Sequence, residues 1–287
     1  MLNAITSGIL VGGLFALVAL SLSLTFLATR TGNFGTGELV SAGAGVAVLS
    51  AAVGPGWLRF LLALLVGGLL GALISRLLIT PFHVNARDYR WLLSTLGLGM
   101  ILIDLQTNGM GVEPLSLAVF KIDGFYRLGD LGLAYQALVI LALAVLLSVG
   151  ISCVLRWTAL GRVIRASAED PETALLMGIS VKRLSMFVYA GASMIAVLAG
   201  LMYGAQTTVT PSLGPPLLVG AISVAVIGGI NSIPGVLIGG LAYGLINQLG
   251  TYFFDAVVGS TAGLIAVVLV LMLKPEGILG TVPKEKV

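Results

Sequence analysis

The chain has 287 residues, 58% of them hydrophobic and 9% charged, with a mean hydropathy of +1.10. Soluble domains average about 45–50% apolar and about 25% charged residues, so this composition excludes an ordinary soluble domain and indicates an integral membrane protein. The net charge of +3 and pI near 9.1 do not point to nucleic acid, because the basic residues lie between apolar segments, where membrane orientation accounts for them. The single cysteine, Cys153, excludes an intrachain disulfide and reads as buried filler beside Ile151 and Val154.

The N-terminal MLNAITSGIL lacks the basic start of a signal peptide, and its apolar run continues to Leu27, so a retained span is expected. About 20 apolar residues cross a bilayer. On that rule the candidate helices are 4–27, 37–53, 58–79, 91–107, 131–155, 184–205, 216–229, 235–254 and 258–273. The predicted class is therefore all-α: a polytopic membrane protein with about nine transmembrane helices, filling the whole of 1–287 as one domain. Some of these helices are short or broken. The segment 37–53 opens in TGNFGTGE, and 216–229 lies between Pro215 and Pro234, as expected of helices that start inside the membrane.

Glycine numbers 39, about twice its usual ~7% share. The pairs Gly8/Gly12, Gly67/Gly71, Gly200/Gly204, Gly235/Gly239 and Gly240/Gly244 have the spacing that lets helices approach closely in lipid. The last four glycines are candidates for contact with a second subunit or for packing inside the chain.

Alternating the loops puts twelve of the fifteen Lys and Arg residues on one side, leaving only Arg59, Lys121 and Arg127 on the other. The rich side is cytoplasmic by the positive-inside rule. The N-terminus is then outside and the C-terminus inside, as is the stretch 156–183. Around the span 131–155 the order repeats: a long helix, a Gly/Pro-rich break, a short helix and two further spans. Repeat 1 covers about 4–107 and repeat 2 about 184–273, and the single linking span inverts one relative to the other.

One interior stretch is highly charged: TALGRVIRASAEDPETALLMGISVK, residues 158–182. Asp170 is a good N-cap, Pro171 suits the first helical position, Glu172 complements the positive helix end, and Gly178 can close the helix in the left-handed conformation. A short helix over 171–177 is predicted after another at 159–169, with Arg162 and Arg165 one turn apart and Ala174, Leu175 and Met177 supplying apolar surface. An amphipathic loop lying on anionic lipid is the alternative. The acids at 169, 170 and 172 count against it.

The run GRVIRASAEDPETALLMGI resembles the cytoplasmic coupling motif of ABC-importer permeases of the branched-chain amino-acid type, the LivH-like subfamily. NFGTGE after the first span, AVIGGINSIPGVLIGG near the eighth and KPEGILG at the end resemble the same family, in the same order. The resemblance implies a permease subunit in the cell inner membrane, paired with a second related permease, seated on two cytoplasmic ATPase subunits and supplied by an external substrate-binding protein. It assigns ATPase coupling to Gly161, Arg162, Arg165, Glu169, Asp170, Ala174 and Gly178. ATP and Mg are expected on the ATPases and no cofactor on this chain, which has no Gly-x-x-x-x-Gly-Lys-[Ser/Thr] phosphate loop. Where the family usually shows Ala-His-Gly-Glu, this chain has Gly35, Thr36, Gly37 and Glu38, so the substrate is open among branched-chain amino acids, other small amino acids, urea and short amides.

Glu38 and Asp104 are the only acids within the predicted spans, where a carboxylate costs about 2.5 kcal/mol or more. Asn33, Thr36 and Glu38 are candidates for the translocation pathway, with a helix-capping role for Glu38 as the alternative. Asp104 reads as interfacial. His83 has no Cys or carboxylate cluster to make it a metal ligand, and Asn231 and Ser232 read as ending a helix. A secondary transporter driven by an ion gradient is a competing reading, although it leaves the charged projection unexplained. An intramembrane enzyme lacks paired catalytic groups.

Overall fold

The computed structural model describes residues 1–52, 54–82, 90–117, 119, 121–122, 124–128 and 131–280. His83, Arg87, Lys284 and Lys286 lie outside them. Among the described residues, eleven α-helices follow in order: α1 (Leu2–Thr29), α2 (Thr36–Leu49), α3 (Gly56–Ile74), α4 (Arg90–Met110), α5 (Tyr135–Trp157), α6 (Ala159–Glu169), α7 (Pro171–Leu176), α8 (Val181–Gly204), α9 (Gly214–Gly228), α10 (Ile233–Phe253) and α11 (Ala256–Leu273). Among the described residues, seven segments, in α1, α3, α5 and α8 to α11, are long and apolar enough to cross a membrane. Of the other two predicted spans, α2 is apolar but only 14 residues long, and α4 carries Asp104, Gln106, Thr107 and Asn108 in its second half.

Three boundaries differ from expectation. The linking span begins at Tyr135 rather than 131, because Leu131–Ala134 (β3) pairs antiparallel with Phe125–Leu128 (β2). A second pair joins Leu115–Ser116 (β1) to Thr208–Val209 (β4). Pro215 and Pro216 fall inside the first turn of α9, where a missing N–H leaves no intrahelical bond unmade. Ser232 starts a helix instead of ending one: its hydroxyl accepts from Gly235 N at 3.2 Å and caps α10. Cys153 is half-buried.

The chain forms two compact units, to both of which α1, α5 and α9 contribute. In the first (Met1–Ser23, Ile122–Cys153 and Gly220–Val287), α1 packs on α10 through glycine. A Cβ at Gly12 would lie 2.7 Å from Gly240 O, and one at Gly240 would lie 2.6 Å from Ala16 Cβ. Phe15 packs against Gly220 and meets Tyr243 edge to face at 5.1 Å. The KPEGILG segment turns at Gly277 (φ +81°) and binds the end of α9, with Ile278 N donating to Ile227 O at 2.8 Å and Leu279 N to Gly228 O at 3.1 Å.

In the second unit (Leu24–Lys121 and Val154–Val219), α8 packs on α2 and α3. Gly43 and Gly67 face Val197, Gly71 faces Ser193, and Gly200 lies against the backbone of Val40. The sequence-predicted glycine pairs are thus all occupied by the chain's own packing. Gly235, Gly239, Gly240 and Gly244 touch α9 and α1, so they are not free for a second subunit.

Candidate functional site

Both groups of sequence-predicted site residues lie in the second unit. The first group sits where α1 breaks before α2. Arg30 takes the left-handed conformation (φ 55°), turning the chain out of α1. Asn33 Oδ1 then accepts from Gly35 N at 3.0 Å, while Thr36 donates to Asn33 O through its N–H at 3.2 Å and its hydroxyl at 2.6 Å. Asn33 therefore closes the turn by the side-chain chemistry that suits Asn to such positions. Asn33 and Thr36 are buried.

Glu38 lies in the first turn of α2 and is 5% exposed, yet its Oε2 has no hydrogen-bond partner. The residue of α4 that faces it is Gly99, which has no side chain to offer one; a Cβ there would lie 3.1 Å from Glu38 Cδ. Gln106, buried farther along α4, also has an unpartnered acceptor, Oε1, while its Nε2 donates to Leu102 O at 3.0 Å. The backbone around Glu38 is tightly packed. Gly37 packs against Gly214 O, and a Cβ on Gly214 would lie 2.8 Å from Glu38 N, so the positive ends of α2 and α9 converge on this turn. Glu38 is thus a buried carboxyl beside the first turn of α2, with one oxygen left without a partner. Asp104 is exposed and pairs with Asn108 at 3.2 Å.

The break is also tied to α8. Tyr189 OH hydrogen-bonds Thr31 Oγ1 at 3.0 Å, and Thr31 Oγ1 hydrogen-bonds Thr29 Oγ1 at 2.7 Å, all of them buried. Sequence reading missed Tyr189, since nothing local distinguishes a tyrosine whose hydroxyl finds a partner 158 positions away.

The second group forms α6 and α7. Thr158 caps α6 by accepting from Gly161 N at 3.2 Å, and Arg165 donates to the Leu155 carbonyl. Gly161 is buried against the backbone of Leu155, leaving no room for a Cβ. Ile164 anchors α6 in an apolar cluster with Ala28 of α1 and Val188 of α8, joined by Leu24, Leu155 and Leu184. Arg162, Arg165 and Glu169 stay exposed.

Asp170 ends α6 and caps α7, its Oδ1 accepting from Glu172 N and Thr173 N, each at 3.1 Å. At the other end, Gly178 (φ +81°) donates to Leu175 O and Ile179 N donates to Ala174 O, each at 3.0 Å. This is a Schellman closure, which satisfies the last carbonyls of so short a helix. Ala174 is 2% exposed and belongs to the packing of α7, whereas Leu176 (89%) and Met177 (74%) are bare.

The family model describing the permease component of the branched-chain amino acid transport system matches residues 4–273. The high-affinity branched-chain amino acid transport system permease protein LivH of Escherichia coli (strain K12) is 27% identical over 301 residues, covering 100% of this chain and 97% of LivH. BraD of Pseudomonas aeruginosa, described in the same terms, is 27% identical, covering 100% and 98%. The fructose import permease protein FrcC of Rhizobium meliloti is 30% identical over 64% of this chain and 51% of FrcC. Among solved structures, PsaBC from Streptococcus pneumoniae in complex with Fab shares the fold with a TM-score of 0.51 and 15% identity, covering 94% of this chain and 91% of that one. With a glycine-packed helical membrane fold and a family match over nearly its full length, the chain belongs to the ABC transporter permeases of the branched-chain amino acid family.

Proposed function

We propose that this chain is the permease subunit of an ATP-driven importer that carries branched-chain or other small amino acids across the inner membrane. It works with a second related permease, two cytoplasmic ATPase subunits that hold ATP and Mg, and an external binding protein. The observation that carries this reading is the helix pair α6–α7. Thr158 caps its first helix, Asp170 and Gly178 close the two ends of its second, it is anchored through Ile164, and it leaves Leu176 and Met177 bare. Two large apolar side chains held in water by a rigid element suit an interface with another protein, here the ATPase. Gly161, Arg162, Arg165, Glu169, Asp170, Ala174 and Gly178 build and flank that element.

In this reading the N-terminus is outside, the C-terminus and 156–183 are cytoplasmic, and Asn33, Thr36 and Glu38 adjoin the pathway. An inverted repeat is supported by matched packing: α1 meets α9 and α10, and α8 meets α2 and α3, in both cases at glycines. Relatives named for branched-chain amino acids favour that substrate class, and urea or short amides are the family alternative.

The test is the double variant Leu176→Glu/Met177→Glu in the complete complex. Membrane levels should be unchanged, while ATPase subunits recovered with the permease fall by about tenfold, the loss expected from burying an unpaired charge in an interface. Undiminished ATPase recovery with full uptake would overturn the docking role. Uptake driven by an ion gradient without ATPases would establish a secondary transporter instead.

A further inference from the structure

A cavity of about 250 Å³ lies where the turn after α3 meets α7 and the first turn of α8. Ile79, Leu175 and Val181 give it apolar walls, and Glu172, Lys182 and Ser185 also line it. Glu172 and Lys182 are both exposed, so their charged ends are reachable from water. Glu172 lies on α7, but neither it nor Lys182 is one of the bare apolar side chains, Leu176 and Met177, that make the docking contact proposed above.

The chemistry of this lining is selective. An anion such as a lipid phosphate would find Lys182 but meet repulsion from Glu172, and a simple cation would face the reverse. A zwitterion satisfies both, with its ammonium toward Glu172 and its carboxylate toward Lys182. The walls then favour an aliphatic side chain over a polar one. The volume is below the ~300–1,000 Å³ of sites for drug-sized molecules and suits a free amino acid.

We propose that this cavity binds the transported amino acid after its release on the cytoplasmic side, and that its occupation slows further import. The inference rests on the importer reading above. Its physical basis is the position of the cavity, because one ligand would touch α7, α8 and the turn after α3 together. A ligand that fits only one arrangement of those elements stabilises that arrangement. A shift of α7 on ATPase closure is then opposed by the bound product. Uptake then falls as the internal pool fills.

The experiment uses the complete complex in proteoliposomes, with the binding protein outside, ATP inside, and leucine as the probe. Initial uptake of labelled leucine is compared with an empty lumen and with millimolar unlabelled leucine inside. The expected result is a severalfold fall with internal leucine, greatly weakened in Lys182→Met and in Glu172→Gln, both of which keep normal uptake into an empty lumen. Equilibrium dialysis of labelled leucine against the permease–ATPase complex, without binding protein, should show binding that either substitution weakens about tenfold. 4-Methylpentanoate, which is leucine without the ammonium, and isoamylamine, without the carboxylate, should not compete. Normal uptake that ignores internal leucine, or inhibition as strong in both variants as in the unsubstituted complex, would overturn the product site and leave the importer reading standing. Absent ATP-dependent uptake from an empty lumen would overturn both.

Discussion

Two breaks in the helical chain lead into short helices, and they meet at Gly37 and Gly214. The first, before α2, is polar and buried: Asn33 closes its turn with hydrogen bonds, and Glu38 carries an acceptor with no partner. The second, before α9, contains the 3-10 turn Pro211–Leu213 and then Pro215 and Pro216, with no acid. Proline removes N–H groups that would otherwise need partners, so the second break needs little side-chain chemistry to start a helix. The same backbone device is thus built twice, and only one copy bears an ionisable group. In the importer reading proposed above, that asymmetry puts the chemistry of transport in the first break and support in the second.

The most damaging change strikes both breaks at once. Gly37→Val or Gly214→Val forces a side chain into the opposite backbone, which cannot swing aside as a flexible side chain would. A loss of about 3 kcal/mol or more is expected, read as disappearance of the monodisperse peak on size-exclusion chromatography. A normal peak would show that the breaks do not need to touch. Next comes Glu38→Gln, which keeps shape and removes charge. Uptake by the complete complex should fall by about tenfold, equivalent to ~1.4 kcal/mol in the barrier, with assembly unchanged. Pro216→Ala in the other break should change uptake by less than about twofold on the same scale, and equal effects would erase the functional asymmetry.

A smaller effect tests the tie between the first break and α8. Tyr189→Phe removes one hydrogen bond of a buried cluster, worth about 0.6–2 kcal/mol in a membrane. The thermal midpoint should drop by a few degrees, about 2–4 °C per kcal/mol for a chain of this size class, and an unchanged midpoint would mean the tie adds nothing to stability. The mildest probe is single cysteine labelling in a Cys153→Ala background. Ser212→Cys is exposed and should react with an impermeant maleimide from outside, whereas Asn33→Cys, at 2% exposure, should not react. Ala166→Cys, exposed on α6, should react only from the cytoplasm. Reaction of positions 166 and 212 from one side would overturn the assigned topology. Position 167, in the same helix, is unsuitable because Ser167 is buried.

Much of this was legible in the chain because helix ends are local chemistry. Asp170, Pro171 and Gly178 announced α7 within a residue, and apolar run lengths located every long helix to within a few positions. Partnership was not legible. The spacing of Gly12 or Gly71 says that something comes close, but not whether it is Gly240, Ser193 or another subunit. The β1–β4 register pairs Leu115 with Val209 and Ser116 with Thr208, and no local signal in either segment marks the other, because only the fold brings them together. Burial was equally hidden. Ala174 reads as surface in a charged stretch yet is packed, and nothing in the sequence around Glu38 signals that its oxygen goes unpaired.

The seat of the KPEGILG turn on α9 has a consequence for how the protein is made. The carbonyls of Ile227 and Gly228 at the end of α9 are taken up by Ile278 N and Leu279 N. Those partners are synthesised about 50 residues later, which at ~5–20 residues per second is a delay of several seconds. Throughout that interval the end of α9 must keep its acceptors in contact with water or with the insertion machinery. A ribosome stalled after α11 but before the turn would therefore leave every span made and α9 still unfinished.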